Sequence, residues 1–345
     1  SMIFSGIYNS ISSVNQLNQF IQAEAITKGL NPEYGTIQKL FTRNTNIVAF
    51  CENKILKILA NKDALYNADG AMQEVLSDKV LGQSVPFVGE YGISRNPESF
   101  ANFGYRVYFT DRDRGAVLRL SADGLTPISD KDMISYFKYN LPNSNTLIGS
   151  YDEDRDSYNL TLDTTTVCFS EKVNGWTSFK SFLLESGNSI NGEYYTWKSG
   201  DIWAHHTNAL RNNFYNTQYE SSVKFVFNDE VDTIKNFNTL NYEGTTSRIY
   251  EDETGEENQL LTGGWYADYI RTDLESAEIV NFKDKEGKWF NNITGVSKTE
   301  DDIDLKDFTS QGLGLVESVE SNGHNNYKTL LIKAFLPPSI PEVNA

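Results

Sequence analysis

Tyr105-Arg106-Val107-Tyr108-Phe109-Thr110-Asp111-Arg112-Asp113-Arg114-Gly115-Ala116-Val117-Leu118-Arg119-Leu120-Ser121 sets two short apolar runs either side of a charged turn. The runs 105–110 and 116–121 are rich in aromatic and branched residues, which suit a pleated, half-buried surface. Gly115 supplies the positive φ that a tight reversal needs, so the stretch reads as a β-hairpin. Upstream, Ile47-Val48-Ala49-Phe50 and Ile55-Leu56-Lys57-Ile58-Leu59 flank Glu52-Asn53-Lys54 and make 46–60 a second hairpin. Downstream, 147–151, 158–162 and 166–170 form a meander with turns at 152–157 and 163–165. Further strands are expected at 194–197, 202–205, 222–228, 233–242, 264–270, 277–282, 288–294 and 328–335. Val48, Phe50, Leu56, Ile58, Val107, Phe109, Leu118, Leu120, Phe169, Trp176, Phe225, Phe227, Trp289 and Leu331 are the expected core.

A helical pattern is strong in only two places. One is 14–28, with Ser13 as cap and Gly29 at the end; the other is 131–139, capped by Asp130. The fold class is therefore all-β, expected as a propeller-like array of antiparallel meanders with two short helices. At about 40–50 residues per blade, 345 residues hold about seven. No exact repeat is present. A theme of aromatic strand, acidic turn and strand recurs in Tyr151-Asp152 to Tyr158 and in Phe282 to Trp289-Phe290. The expected domain is 1–336, followed by a Pro-rich exit linker at 337–345. Ser1-Met2 ahead of Ile3 and the linker-like end lead to the expectation of a piece of a longer protein.

Acidic residues outnumber basic ones by 47 to 30, for a formal net charge of −17. That balance disfavours stable nucleic-acid binding, which draws on clustered Lys and Arg. No stretch approaches the roughly 20 apolar residues of a membrane-spanning helix. Cys51 and Cys168 are the two cysteines; they encode no disulfide framework and are read as small buried apolar residues.

Asp152, Asp154 and Asp156 repeat at alternate positions of a turn, as oxygen ligands of Ca²⁺ do, and are the candidate metal ligands. Ser157 stands where a calcium loop has Gly and Asp163 where it has Glu, so a solvated hairpin turn is the alternative. Asp111 and Asp113 alternate with Arg112 and Arg114, which neutralise them. His205 and His206, being adjacent, point to opposite faces in a strand and cannot both grip one metal. No Gly-x-Ser-x-Gly elbow, phosphate loop or dinucleotide fingerprint occurs. No catalytic residue and no cofactor is therefore expected. A two-carboxylate glycosidase is left open by the abundance of acids, and Trp176, Trp197, Trp203, Trp265 and Trp289 serve either as core or as sugar-stacking platforms.

Gly89-Glu90-Tyr91-Gly92-Ile93-Ser94-Arg95-Asn96-Pro97-Glu98-Ser99-Phe100, continuing through Tyr105 to Asp111 and 118–129, resembles large virion structural proteins of tailed bacteriophages. So do Leu30-Asn31-Pro32-Glu33-Tyr34-Gly35, Ala60 to Tyr66, Gly175-Trp176-Thr177-Ser178-Phe179 and Thr239-Leu240-Asn241-Tyr242-Glu243-Gly244. The relatives are tail or neck proteins of marine phages and muzzle- or stabilisation-type proteins of crAss-like phages. The resemblance implies a non-enzymatic assembly component at the tail tube exit, neck or baseplate. It implies other tail or neck proteins as partners, with self-association in a ring, and residence in the virion after assembly in the host cytoplasm. A receptor- or glycan-binding module on the same particle is the alternative, and a propeller-type glycan hydrolase the third reading.

Overall fold

A computed structural model describes residues 1–20, 26–66, 72–229, 232–233, 237–244, 247, 249–251, 259–262, 264–271, 276–279, 282–295 and 330–336. They fall into two compact units, Ser1–Thr207 and Asn208–Ala345, where the sequence reading draws one stretch of 1–336.

The first unit is a succession of antiparallel sheets in which strands pair with their neighbours in sequence. The first sheet joins β1 (Ile37–Arg43), β2 (Asn46–Cys51), β3 (Ile55–Tyr66) and β4 (Met72–Pro86). The second joins β5 (Ala101–Phe103), β6 (Arg106–Asp111), β7 (Ala116–Ser121) and β8 (Gly124–Pro127). After helix α1 (Ile134–Asn143), the third joins β9 (Ile148–Asp152), β10 (Ser157–Thr161), β11 (Thr166–Ser170) and β12 (Gly175–Lys180). The fourth has three strands, β13 (Ser186–Ile190), β14 (Glu193–Lys198) and β15 (Asp201–Ala204). The leading strands are neighbours across sheets: β5 lies against β9, and β9 against β13.

Alternation along each strand decides which neighbour a side chain meets. Val107 and Phe109 of β6 join Val48, Phe50 and Ile55 of the first sheet in one core. Between them, Tyr108 points the other way and joins Tyr158, Leu160, Val167 and Phe169 of the third sheet, with Phe137 and Leu141 of α1. A sheet sandwiched on both faces needs apolar residues at successive positions, and β6 and β7 have them.

The hairpin at 105–121 and the meander of 147–170 form within a residue or two of their expected bounds, and the hairpin expected at 46–60 forms with its second strand running on to Tyr66. The helix expected over 14–28 does not form. Val14–Asn15 is a short strand paired with Tyr8–Asn9, Thr27–Lys28 pairs with Met2–Ile3, and 21–25 lie outside the described residues. Its apolar positions Val14, Leu17 and Phe20 are exposed, so no packing rewards a helix. The Asn9 and Asn15 side chains meanwhile accept hydrogen bonds from the Ile11, Ser12 and Leu17 N–H groups, a local competitor of helix. The helix expected at 131–139 is displaced to 134–143. Asp132 sits at φ 62°, outside helical space, and Pro142 is accommodated in the last turn. One α-helix, rather than two, is thus present among the described residues.

In the second unit, strand order departs from sequence order. Ser221–Phe227 pairs with Leu330–Leu336, which pairs with Tyr266–Arg271, followed by Ser276–Glu278 and Thr294–Gly295. A second sheet joins Thr239–Tyr242, Lys288–Asn292 and Lys283–Lys285. Ile270, Ala277, Ile279, Phe282 and Ile293 form its core. The expected linker at 337–345 lies outside the described residues.

Candidate functional site

The chemistry-bearing side chains of the first unit gather in the layers between sheets. Between the second and third sheets, the rings of Tyr108 and Tyr158 stack with centroids 4.9 Å apart, Tyr108 and Tyr151 at 5.5 Å, and Phe103 and Tyr151 at 4.7 Å. The polar ends of these rings are bound. The Tyr158 hydroxyl donates to the Ser99 carbonyl (2.8 Å), and that of Tyr108 to Glu171 (2.6 Å), which also accepts from Arg119 (2.8 Å). Burial pushes the pKa of Tyr108 and of Tyr158 above the ordinary phenol value, so both stay neutral donors. Trp176, half-buried against Phe137 and Phe169, donates its Nε1–H to the Ile128 carbonyl at 3.0 Å.

The other face of the third sheet is polar. The pairings Ser150 with Asn159 and Asp152 with Ser157 place these four side chains on one face, and all four are buried. Ser150 Oγ and the Tyr194 hydroxyl of β14 share a hydrogen bond of 2.7 Å. Lys180 Nζ donates to Asn159 Oδ1 at 2.9 Å. Asp152 accepts from the Arg155 N–H (3.2 Å), and its Oδ2 lies 2.9 Å from His206 Nε2. Burial pushes the Asp152 carboxyl up, but His206, the Arg155 N–H and Lys180 outweigh it and hold it below the usual range. His205 bonds Thr196 Oγ1 at 2.8 Å. Burial first, then repulsion from His206 and Lys180, pushes its imidazole down to about 4.

Tyr158 and Tyr194 occupy equivalent places. Each lies opposite the second residue after a glycine of the leading strand, Gly149 before Tyr151 and Gly187 before Ser189. Both glycines are sites of close approach: a Cβ at Gly149 would stand 1.9 Å from the Ser99 carbonyl oxygen, and one at Gly187 2.9 Å from Ser150 Cβ. Ile148-Gly149-Ser150 with Tyr158, and Ser186-Gly187-Asn188 with Tyr194, are thus a repeated stitch between successive sheets. The sequence carries it as a Gly in one strand and a Tyr in the next, a spacing that the aromatic-turn theme passes over. Gly92 acts likewise at the first sheet, where a Cβ would stand 2.0 Å from the Glu52 carbonyl oxygen.

Of the three candidate metal ligands, Asp152 and Asp154 come together with His206, all their ligand atoms lying within 4.8 Å of one another. Asp156 turns away to accept from the Tyr151 hydroxyl, 3.9 Å from Arg106. Asp111 is a structural carboxylate, holding the Gly92 N–H, the Ser94 hydroxyl and Arg114 at 2.9 to 3.0 Å. Cys51 is buried, its thiol pushed up to about 11 chiefly by burial, which leaves it inert. Among expected core residues, Phe225 and Phe227 are 47% and 43% exposed; they line an apolar groove of about 270 Å³ with Tyr242, Trp265, Tyr266 and Phe282. Trp289 is half-buried beside that core. Leu331 is in a strand, but its burial is outside what is described.

Serial antiparallel sheets stitched through aromatic and polar layers define a β-sheet structural module. The chain belongs to the crassvirus muzzle protein family: the family's main model matches residues 25–200, and the model of the muzzle protein C-terminal domain matches 210–295. The muzzle protein of Bacteroides phage crAss001 is 24% identical over 234 residues, which cover 63% of this chain. The chain spans 16% of the length of that curated relative. The protein is accordingly a virion structural protein of crAss-like phage type. No helix among the described residues is long and apolar enough to cross a membrane.

Proposed function

We propose that this chain is a non-enzymatic wall module at the tail tube exit, neck or baseplate of the virion, in contact with other tail or neck proteins and with copies of itself in a ring. The observation that carries the reading is the stitch. Each of the third and fourth sheets is tied to the one before it by a tyrosine and a close-approach glycine, with leading strands side by side. This supports reading the first unit as consecutive blades of a propeller-like array. Interiors built from interlocking rings are stiff, which suits a part that bears load rather than one that turns over substrate. The net charge of −17 repels passing DNA rather than holding it.

The apolar groove of the second unit, lined by Phe225, Phe227, Tyr242, Trp265 and Tyr266, favours a second reading, a receptor- or glycan-binding module on the same particle. Immunogold labelling of intact virions with antibody against this chain separates the two. Gold at the tail or neck is the expected result. Gold confined to fibre tips would promote receptor binding, and absence of gold from particles would overturn both.

A further inference from the structure

The polar face between the third and fourth sheets ends in a cluster that packing alone does not explain. Asp152, wholly buried at the end of β9, Asp154 in the following turn and His206 just past β15 reach the same point from segments more than fifty residues apart. Asp152 and Ser157 are cross-strand partners on that face. Ser157 is 2% exposed, yet its hydroxyl has no hydrogen-bond partner among the described residues. A buried hydroxyl without a partner is costly and calls for a ligand.

We propose that Asp152, Asp154 and His206 bind a divalent first-row transition ion, Zn²⁺ foremost, that fastens the third sheet to the fourth. Two carboxylate oxygens and one imidazole nitrogen form a donor set for zinc or its neighbours; Ca²⁺ prefers six to eight oxygens. Ligand bonds of about 2.0–2.1 Å around a tetrahedral ion put the donor atoms roughly 3.3 Å apart. The 2.9 Å between Asp152 Oδ2 and His206 Nε2 has to open only slightly, and Asp154, within 4.8 Å, has to close. Asp154 is free to move, because its present partner is Arg155 at 3.1 Å, and both side chains are half exposed or more, where ion pairs are weak. A water completes the set. A family of structural proteins does not require such a site, and it stands whether or not the placement at the tail exit is right.

The test is titration of the EDTA-treated 345-residue chain with zinc chloride, followed by calorimetry and thermal unfolding. The expected result is one zinc per chain with a rise in Tm. Asp154→Asn lies at the surface and leaves the fold intact by circular dichroism, whereas His206→Ala also removes a partner of the buried Asp152 and is read only where its circular dichroism matches that of the unsubstituted chain; each should weaken zinc at least tenfold. Asp156→Asn, whose carboxylate faces away, should leave zinc affinity unchanged. Absence of saturable zinc binding, zinc affinity indifferent to His206→Ala, or saturation by Ca²⁺ in preference to zinc would each overturn the proposal.

Discussion

The third sheet of the first unit meets its two neighbours through unlike surfaces. Toward the second sheet it presents Tyr151, Tyr158, Leu160 and Phe169, stacked on Tyr108 and backed by helix α1. Toward the fourth it presents Ser150, Asp152, Ser157 and Asn159, joined by Lys180 of its own β12 and answered by Tyr194, Thr196 and two histidines. The first layer draws on area removed from water and tolerates small displacements. The second draws on directional bonds, each of which has to be met or its desolvation goes uncompensated. Adjacent layers of one unit are therefore held by different physics, non-directional on one side and register-specific on the other.

Substitutions can break that contrast. The largest effect is expected at Tyr158→Ala, which deletes a stacked ring and its bond to Ser99; chemical denaturation should show a loss of about 3–5 kcal/mol. A loss under about 1 kcal/mol would mean the aromatic layer is not the main adhesive. Gly149→Ala drives a Cβ into the Ser99 carbonyl and should cost about 1–3 kcal/mol, readable as a lowered denaturation midpoint with an unchanged slope. In the polar layer, Tyr194→Phe leaves Ser150 without its partner hydroxyl, and about 1–2 kcal/mol should go. Adding Ser150→Ala should return at least half of it, and strict additivity in that double-mutant cycle would deny the bond any special role.

The smallest effect belongs outside both layers, on the β3–β4 ribbon, where hydrogen bonds from Lys57 and then Lys62 hold Glu74 down at about 2. A depressed carboxylate contributes fully above its unfolded value near 4.5 and loses that contribution as pH falls through about 2. Hydrogen exchange in 60–66 and 72–81, corrected for intrinsic rate, should therefore quicken between pH 4.5 and 2 in the native protein. In Glu74→Gln the acceleration should be absent, and an equal acceleration there would remove Glu74 as its cause. The stabilisation at stake is below about 1 kcal/mol, since the pair is partly solvated.

The aromatic layer was legible in the sequence because its information is local: runs such as 105–110 and 116–121 are apolar at successive positions beside a charged turn, as a strand buried on both faces has to be. The polar layer was not. Ser150, Ser157 and Asn159 read as surface residues until a fourth sheet covers them, and nothing near Asp152 in the chain announces His206. The same limit explains the false helix at 14–28, where helical spacing is present but no surface waits to receive it. It also explains Phe225 and Phe227, whose alternation mimics a core strand while the two rings line an open groove. Period reports what a segment is able to bury, and only the fold decides whether burial occurs.

The stitches have a direction. Tyr158 of the third sheet reaches back to Ser99, and Tyr194 of the fourth reaches back to Ser150, so each sheet finds its anchor in chain that was synthesised earlier. Within the four sheets built from β1 to β15, every strand after the first likewise pairs with its predecessor. On the ribosome such a unit grows by accretion, each new sheet anchored to one already made. Pairing each sheet with the one just made keeps the loops that folding has to close short.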